Sequence, residues 1–212
     1  MGNWLWWVMA AVLLAACGLY QWRQQQLAFL QRYIFHDAYW AEVQAQYPSL
    51  QDKDREIAQA ALRQFFLIRW FAPQQTVYMP SQIADALWHA FIVDTQAYQR
   101  FCQQAFGRFF HHIPSYSMQQ HSSTLRRTHM QATWNAAQQS AHLLPVAMRG
   151  GVPLLFVVDA ELGIAGASYV SSDYEYWDQM RAKSSGCGGG SGCSGSSCDG
   201  GGSSCGGGCG GD

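Results

Sequence analysis

Asp85 and His89 stand four positions apart in the run Asp85-Ala86-Leu87-Trp88-His89, and the pair His111-His112 follows further along the chain. Side chains at i and i+4 meet on one helical face, so the Asp85 carboxylate can orient the His89 imidazole and raise its basicity. Adding His111 or His112 gives a mixed nitrogen and oxygen donor set of the kind zinc accepts, and three protein ligands plus water would make such a site catalytic rather than structural. No H-E-x-x-H occurs, and no cysteine pair before the tail has zinc-finger spacing. The same residues also read as plain structure. A histidine beside a tryptophan, with an aspartate one turn away, satisfies its ring nitrogen on that carboxylate inside a core or interface. On this reading, which the residues favour, Trp88, Phe91, Ile92, Phe101, Phe106 and Phe109 are packing residues. Cys102 could be a nucleophile beside a histidine, but among Phe101, Phe106 and Phe109 it is expected to act as a small hydrophobe.

The remaining soft donors lie in the segment 184–212, made of Gly, Ser, Cys and two Asp. It holds Cys187, Cys193, Cys198, Cys205 and Cys209, five of the chain's seven cysteines. Chain of this composition has no apolar side chains to offset the entropy of ordering, so a disordered tail is expected. Reduced thiols there could bind zinc or copper(I), though gaps of five, four, six and three residues match no fixed zinc module. If the tail is exported, an odd number of cysteines leaves one thiol for an intermolecular link. A third reading is a peptide precursor whose Cys and Ser are cyclised to azoles, and a fourth is a flexible tail with no ligand.

The other end of the chain needs a non-aqueous home. No charged residue lies between Trp4 and Trp22. As a helix this stretch covers roughly 27 Å, close to the thickness of a hydrocarbon core. Trp4, Trp6 and Trp7 crowd one end and Tyr20 and Trp22 mark the other, as rings do at the two headgroup levels. No basic residue precedes Trp4, which argues against a cleaved signal. Leu14-Ala15-Ala16-Cys17 has the form of a lipoprotein cleavage site, so an exported protein held through Cys17 is the alternative. With Arg23 and Arg32 just after the span, the rest of the chain is expected on the cytoplasmic side. Of the 212 residues 49% are hydrophobic and only 13% charged, with a net charge of -1, which offers no field for nucleic acid.

Residues 24–183 form the one segment able to pack a core, and the periodicity is mostly helical. A first helix is expected from the membrane through Leu27, Leu30, Ile34, Ala38 and Ala41 until Pro48, and a second from a cap at Asp52 or Asp54 to just before Pro73. Ser81 caps Gln82 to Val93; Asp94 or Thr95 caps a helix to about Phe110; Ser122 or Ser123 starts one running to about Leu143. The apolar run Pro153 to Val158 reads as a short strand that pairs with another near Ala167 to Ser171. The expected fold is mainly α: one transmembrane helix (1–23), a compact helical domain (24–183) with a short two-stranded hairpin, and the tail.

The order D-x-x-W-H-x-F-I from Asp85, then Y-x-x-F-C from Tyr98, then F-G-x-F-x-H-H-x-P from Phe106, resembles the bacterial relatives of the glycine-rich domain-containing proteins. The run Leu144 to Ile164, ending D-x-x-L-G-I, is similar to that family's later segment. The plant pattern has a second histidine after the W-H pair, where Phe91 stands here. The family name describes composition, so the resemblance implies a helical body with a Gly-rich tail and no activity. The expected role is a membrane-anchored interaction or scaffold module holding an unnamed protein partner. The alternatives are a zinc- or cysteine-dependent enzyme centred on Asp85, His89, Cys102 and His111 or His112, and the azole precursor.

Overall fold

The computed structural model describes residues 3–113 and 121–165. The expected strand at 167–171 and the whole tail with its five cysteines lie outside the described residues. The helices are α1 (Asn3–Arg32), α2 (Asp37–Gln46), α3 (Arg55–Phe71), α4 (Gln82–Val93), α5 (Thr95–Phe106), α6 (Ser123–Gln139) and α7 (Leu154–Glu161). A two-stranded hairpin pairs β1 (Met148–Arg149) antiparallel with β2 (Val152–Pro153). The architecture is therefore a mainly helical domain with a short hairpin behind an apolar amino-terminal helix.

Helix α3 is the hub, packed against α1, α4, α6 and α7. Its Ala58 and Ala61 are fully buried and let neighbouring backbones come close, while Leu62, Phe65, Phe66 and Ile68 fill the space between. Around Phe101 the rings of Tyr33, Phe66 and Phe91 meet with centroids 4.7 to 5.2 Å apart, tilted or edge-on as ring quadrupoles prefer. Gln64 is the polar exception. Its buried amide donates to Ala147 O at 2.9 Å and accepts from Leu155 N at 2.8 Å, tying the hairpin and α7 to the hub.

Three elements differ from the sequence-based expectation. The first helix does not run on to Pro48. It stops at Arg32, and α2 begins at Asp37 with His36 Nδ1 accepting from Ala38 N at 3.1 Å as its cap. The break leaves Ile34, expected on the buried face, 85% exposed and turns Phe35 into the core. Helix α5 ends at Phe106 rather than Phe110, because Gly107 takes a left-handed φ of 68° as its C-cap. Of the run Pro153 to Val158 only Pro153 belongs to a strand. Leu154 to Glu161 is a helix, and the hairpin lies upstream of it, turning on Gly150 and Gly151 with φ of 55° and 85°.

Helix α1 runs without interruption from an exposed apolar stretch into the packed body. From Trp4 to Trp22 its side chains are exposed, and 29 residues from Trp4 to Arg32 form a helix long and apolar enough to cross a membrane. Its last turns bury Gln26 and Leu30 against the body. At the point of exit Arg23 lies 4.4 Å over the Trp70 ring, and Trp70 Nε1 donates to Gln26 Oε1 at 3.2 Å. Trp22 meets Gly107 so closely that a Cβ there would stand 2.9 Å from the indole ring.

Candidate metal centre

Asp85 and His89 face the same side of α4 because they are one turn apart, and the start of that helix is held by two side chains. Ser81 Oγ accepts from Ala84 N at 3.1 Å as the N-cap. Asp159, buried on α7, accepts from Ser81 Oγ at 2.6 Å, Gln82 N at 2.6 Å and Ile83 N at 3.2 Å. A carboxylate on the first amide groups of a helix also suits its dipole. Asp159 is itself held where α7 terminates. Ile164 N donates to Asp159 O and Gly163 N to Ala160 O, with Gly163 at φ 66°, the two bonds of a Schellman end. The D-x-x-L-G-I run is thus a clamp on the helix that carries Asp85 and His89.

The third ligand candidate arrives on the strap that follows Gly107. Phe110 stacks on Trp88 at 5.2 Å and its carbonyl accepts from Tyr98 OH, whose oxygen takes the Trp88 Nε1 hydrogen at 3.2 Å. Two residues on, His112 lies edge-on to Trp88 at 4.5 Å and its Nε2 sits 2.8 Å from Asp85 Oδ1. His89 Nδ1 is 3.7 Å from the other carboxylate oxygen, and the two imidazole centroids are 4.3 Å apart. One carboxylate therefore faces two rings, and one donor atom from each of Asp85, His89 and His112 falls within 4.8 Å of the others. Side-chain exposure rises from 11% at His112 through 29% at Asp85 to 53% at His89, so the group opens to solvent on the His89 side.

His111 does not join this group. In an extended strap successive side chains alternate, so while Phe110 and His112 face Trp88, His111 turns away toward Phe109, at 4.9 Å. Cys102 lies in the core, away from this group. It is fully buried, and burial pushes its thiol above the ordinary value of 9.0, against the pull of hydrogen bonds from the Phe110 backbone and Tyr98. Tyr98 is likewise raised, first by burial and then by Cys102. Three participants carried no functional reading in the sequence: Trp88 as the platform under His112, Tyr98 as the clamp on the strap, and Asp159 as the brace of α4. Each stood inside a quoted run, Trp88 in D-x-x-W-H-x-F-I, Tyr98 in Y-x-x-F-C and Asp159 in D-x-x-L-G-I, but the runs did not tell its role.

A family model described as UCP032817-like matches residues 25–191, beginning where the exposed apolar stretch of α1 has ended. No curated protein and no solved structure matches the chain.

Proposed function

The chain belongs to the UCP032817-like family, whose description names no activity, and from that premise we propose that it is a membrane-anchored protein whose helical body binds a zinc-class ion through Asp85, His89 and His112. The observation that carries the reading is the convergence of two imidazoles from separate segments on one carboxylate, all three donors within 4.8 Å. Two nitrogens and one oxygen suit zinc, and three protein ligands leave a position for water or substrate on the exposed side of His89. Bound there, zinc would supply Lewis-acid chemistry or an activated water. The part of the chain is to hold the ion: Asp85 bridges the rings, Trp88 and Phe110 fix His112, and Asp159 fixes the helix beneath. Helix α1 supplies the anchor in a single pass, and the basic Arg23 and Arg32 after the span support a cytoplasmic body.

A second reading is favoured by one specific contact. The 2.8 Å bond from His112 Nε2 to Asp85 is complete without any ion, and it pins the strap to α4. In that case the body is a partner-holding module at the membrane, and metal binding falls to the tail thiols or to nothing. The full-length protein, purified in detergent with zinc and desalted, separates the two. With Cys187, Cys193, Cys198, Cys205 and Cys209 all changed to Ser, about one zinc per chain should remain by elemental analysis and disappear on His89→Ala. A serine-tailed protein without zinc overturns the metal reading.

A further inference from the structure

A second constellation lies beside the strap. Phe109, Phe110, His111 and Ile113 border a groove of about 490 Å³ that Arg108 of the strap and Arg69 of α3 also line. Arg69 Nη1 donates to Pro73 O at 2.9 Å and Arg108 Nη2 donates to the same oxygen at 3.2 Å. Two guanidinium groups are thereby drawn onto one carbonyl, a neutral acceptor that cancels neither charge. Among the described residues neither has a carboxylate within ion-pair distance, and no carboxylate lines the groove. The Arg69 pKa is lowered by burial first and by the Arg108 charge second. A like-charged pair held by backbone, with apolar walls beside it, is complementary to an anion carrying an apolar body.

The position of the pair selects the source of that anion. Arg108 follows Gly107, on which Trp22 rests, and Arg69 precedes Trp70, over which Arg23 lies. Both arginines are thus one residue from the two contacts at which α1 leaves the body. We propose that the groove bounded by Arg69, Arg108 and Phe109 receives the phosphate of an anionic phospholipid from the bilayer that α1 spans, with Phe109 and Ile113 against the lipid's apolar part. This rests on the membrane-anchored reading above and is independent of the metal. Phe109 and Ile113 are 44% and 38% exposed, which suits side chains that meet an interface rather than water alone.

The test uses the full chain in nanodiscs of equal phosphatidylcholine and phosphatidylglycerol, released gently into native mass spectrometry so that retained lipids are counted. Retention of phosphatidylglycerol over phosphatidylcholine by about 10-fold is expected from two basic groups at a headgroup surface. The Arg69→Gln/Arg108→Gln double variant should retain both lipids equally, and Arg55→Gln, at the Asp37 ion pair, should keep the preference. Unchanged helical circular dichroism verifies that the double variant is folded. Equal retention by the unaltered chain, or a preference that survives the double substitution, overturns the proposal. So does loss of the preference in excess inorganic phosphate, which would mark a site for free phosphate. A chain that leaves the nanodisc altogether overturns the anchored reading and this inference with it, an outcome distinct from a chain that stays without lipid preference.

Discussion

His89 is half exposed and touches its neighbours from one side, whereas His112 is almost covered and wedged against Trp88, so their replacements should separate binding from stability. His89→Ala is expected to leave the urea midpoint within the range of surface changes, about 0.5 kcal/mol, while zinc affinity falls by more than the roughly 100-fold that loss of an outer partner costs. His112→Ala should lose the metal and, in addition, about 1–2 kcal/mol of stability from the emptied contact on Trp88. Isothermal titration and urea unfolding on the same samples read both quantities. Cys102 gives a residue-scale prediction of opposite kind. In a variant with Cys17 and the tail cysteines changed to Ser, a thiol reagent should label Cys102 only when urea unfolds the chain. Its native pKa is raised, so the stability it contributes is present below its ordinary value of 9.0 and is lost as pH climbs from there toward the native value, a fall in urea midpoint that should be measurable. The pairing of Asp85 with His89 was legible from spacing alone. The choice between His111 and His112 was not, because it depends on the strap being extended, and that follows from Gly107 ending α5 about four residues earlier than the apolar pattern suggested.

Among elements, α4 and α7 form one mechanical unit through Asp159. Asp159→Ala would strip three donors at once, two of them helix amides, and is expected to cost about 3 kcal/mol in urea unfolding and to weaken zinc binding without touching a ligand. Gly107→Ala should cost about 2 kcal/mol, since a left-handed φ and a Cβ at 2.9 Å from Trp22 act together, and the emission of the exposed tryptophan should shift as its seat is lost. The misreading of α7 has a physical source. A short run that is apolar on every side serves equally for a buried strand or a helix, because periodicity carries no information when both faces are covered. The arbiter was present as punctuation: Pro153 before the run and Gly163 after it are the ordinary markers of a helix start and stop. The break between α1 and α2 had no such marker. Apolar residues keep helical spacing through Ile34 and Ala38, and the turn is imposed by the ring cluster that draws in Tyr33 and Phe35.

The whole molecule is organised by α1, which has no linker between its apolar stretch and its packed end. That its apolar stretch is long enough to span a membrane was legible from length and from the absence of charge. Its docking on Trp70 and Gly107 was not, since those contacts join residues far apart in sequence. A pair of glycines inserted after Trp22 should leave the protein in the bilayer but release the body, seen as loss of protection at Trp70 and Gly107 in hydrogen exchange. With the helix intact, His112 is five steps along the chain from Gly107, so under the proposed anchoring the candidate metal centre would lie at most roughly 17 Å of extended chain from the headgroup level. A metal-binding body hung so low would have no stalk on which to scan the surrounding fluid. Molecules that travel within the lipid sheet would find it by a search in two dimensions, while bulky soluble polymers would meet the sheet itself as a wall.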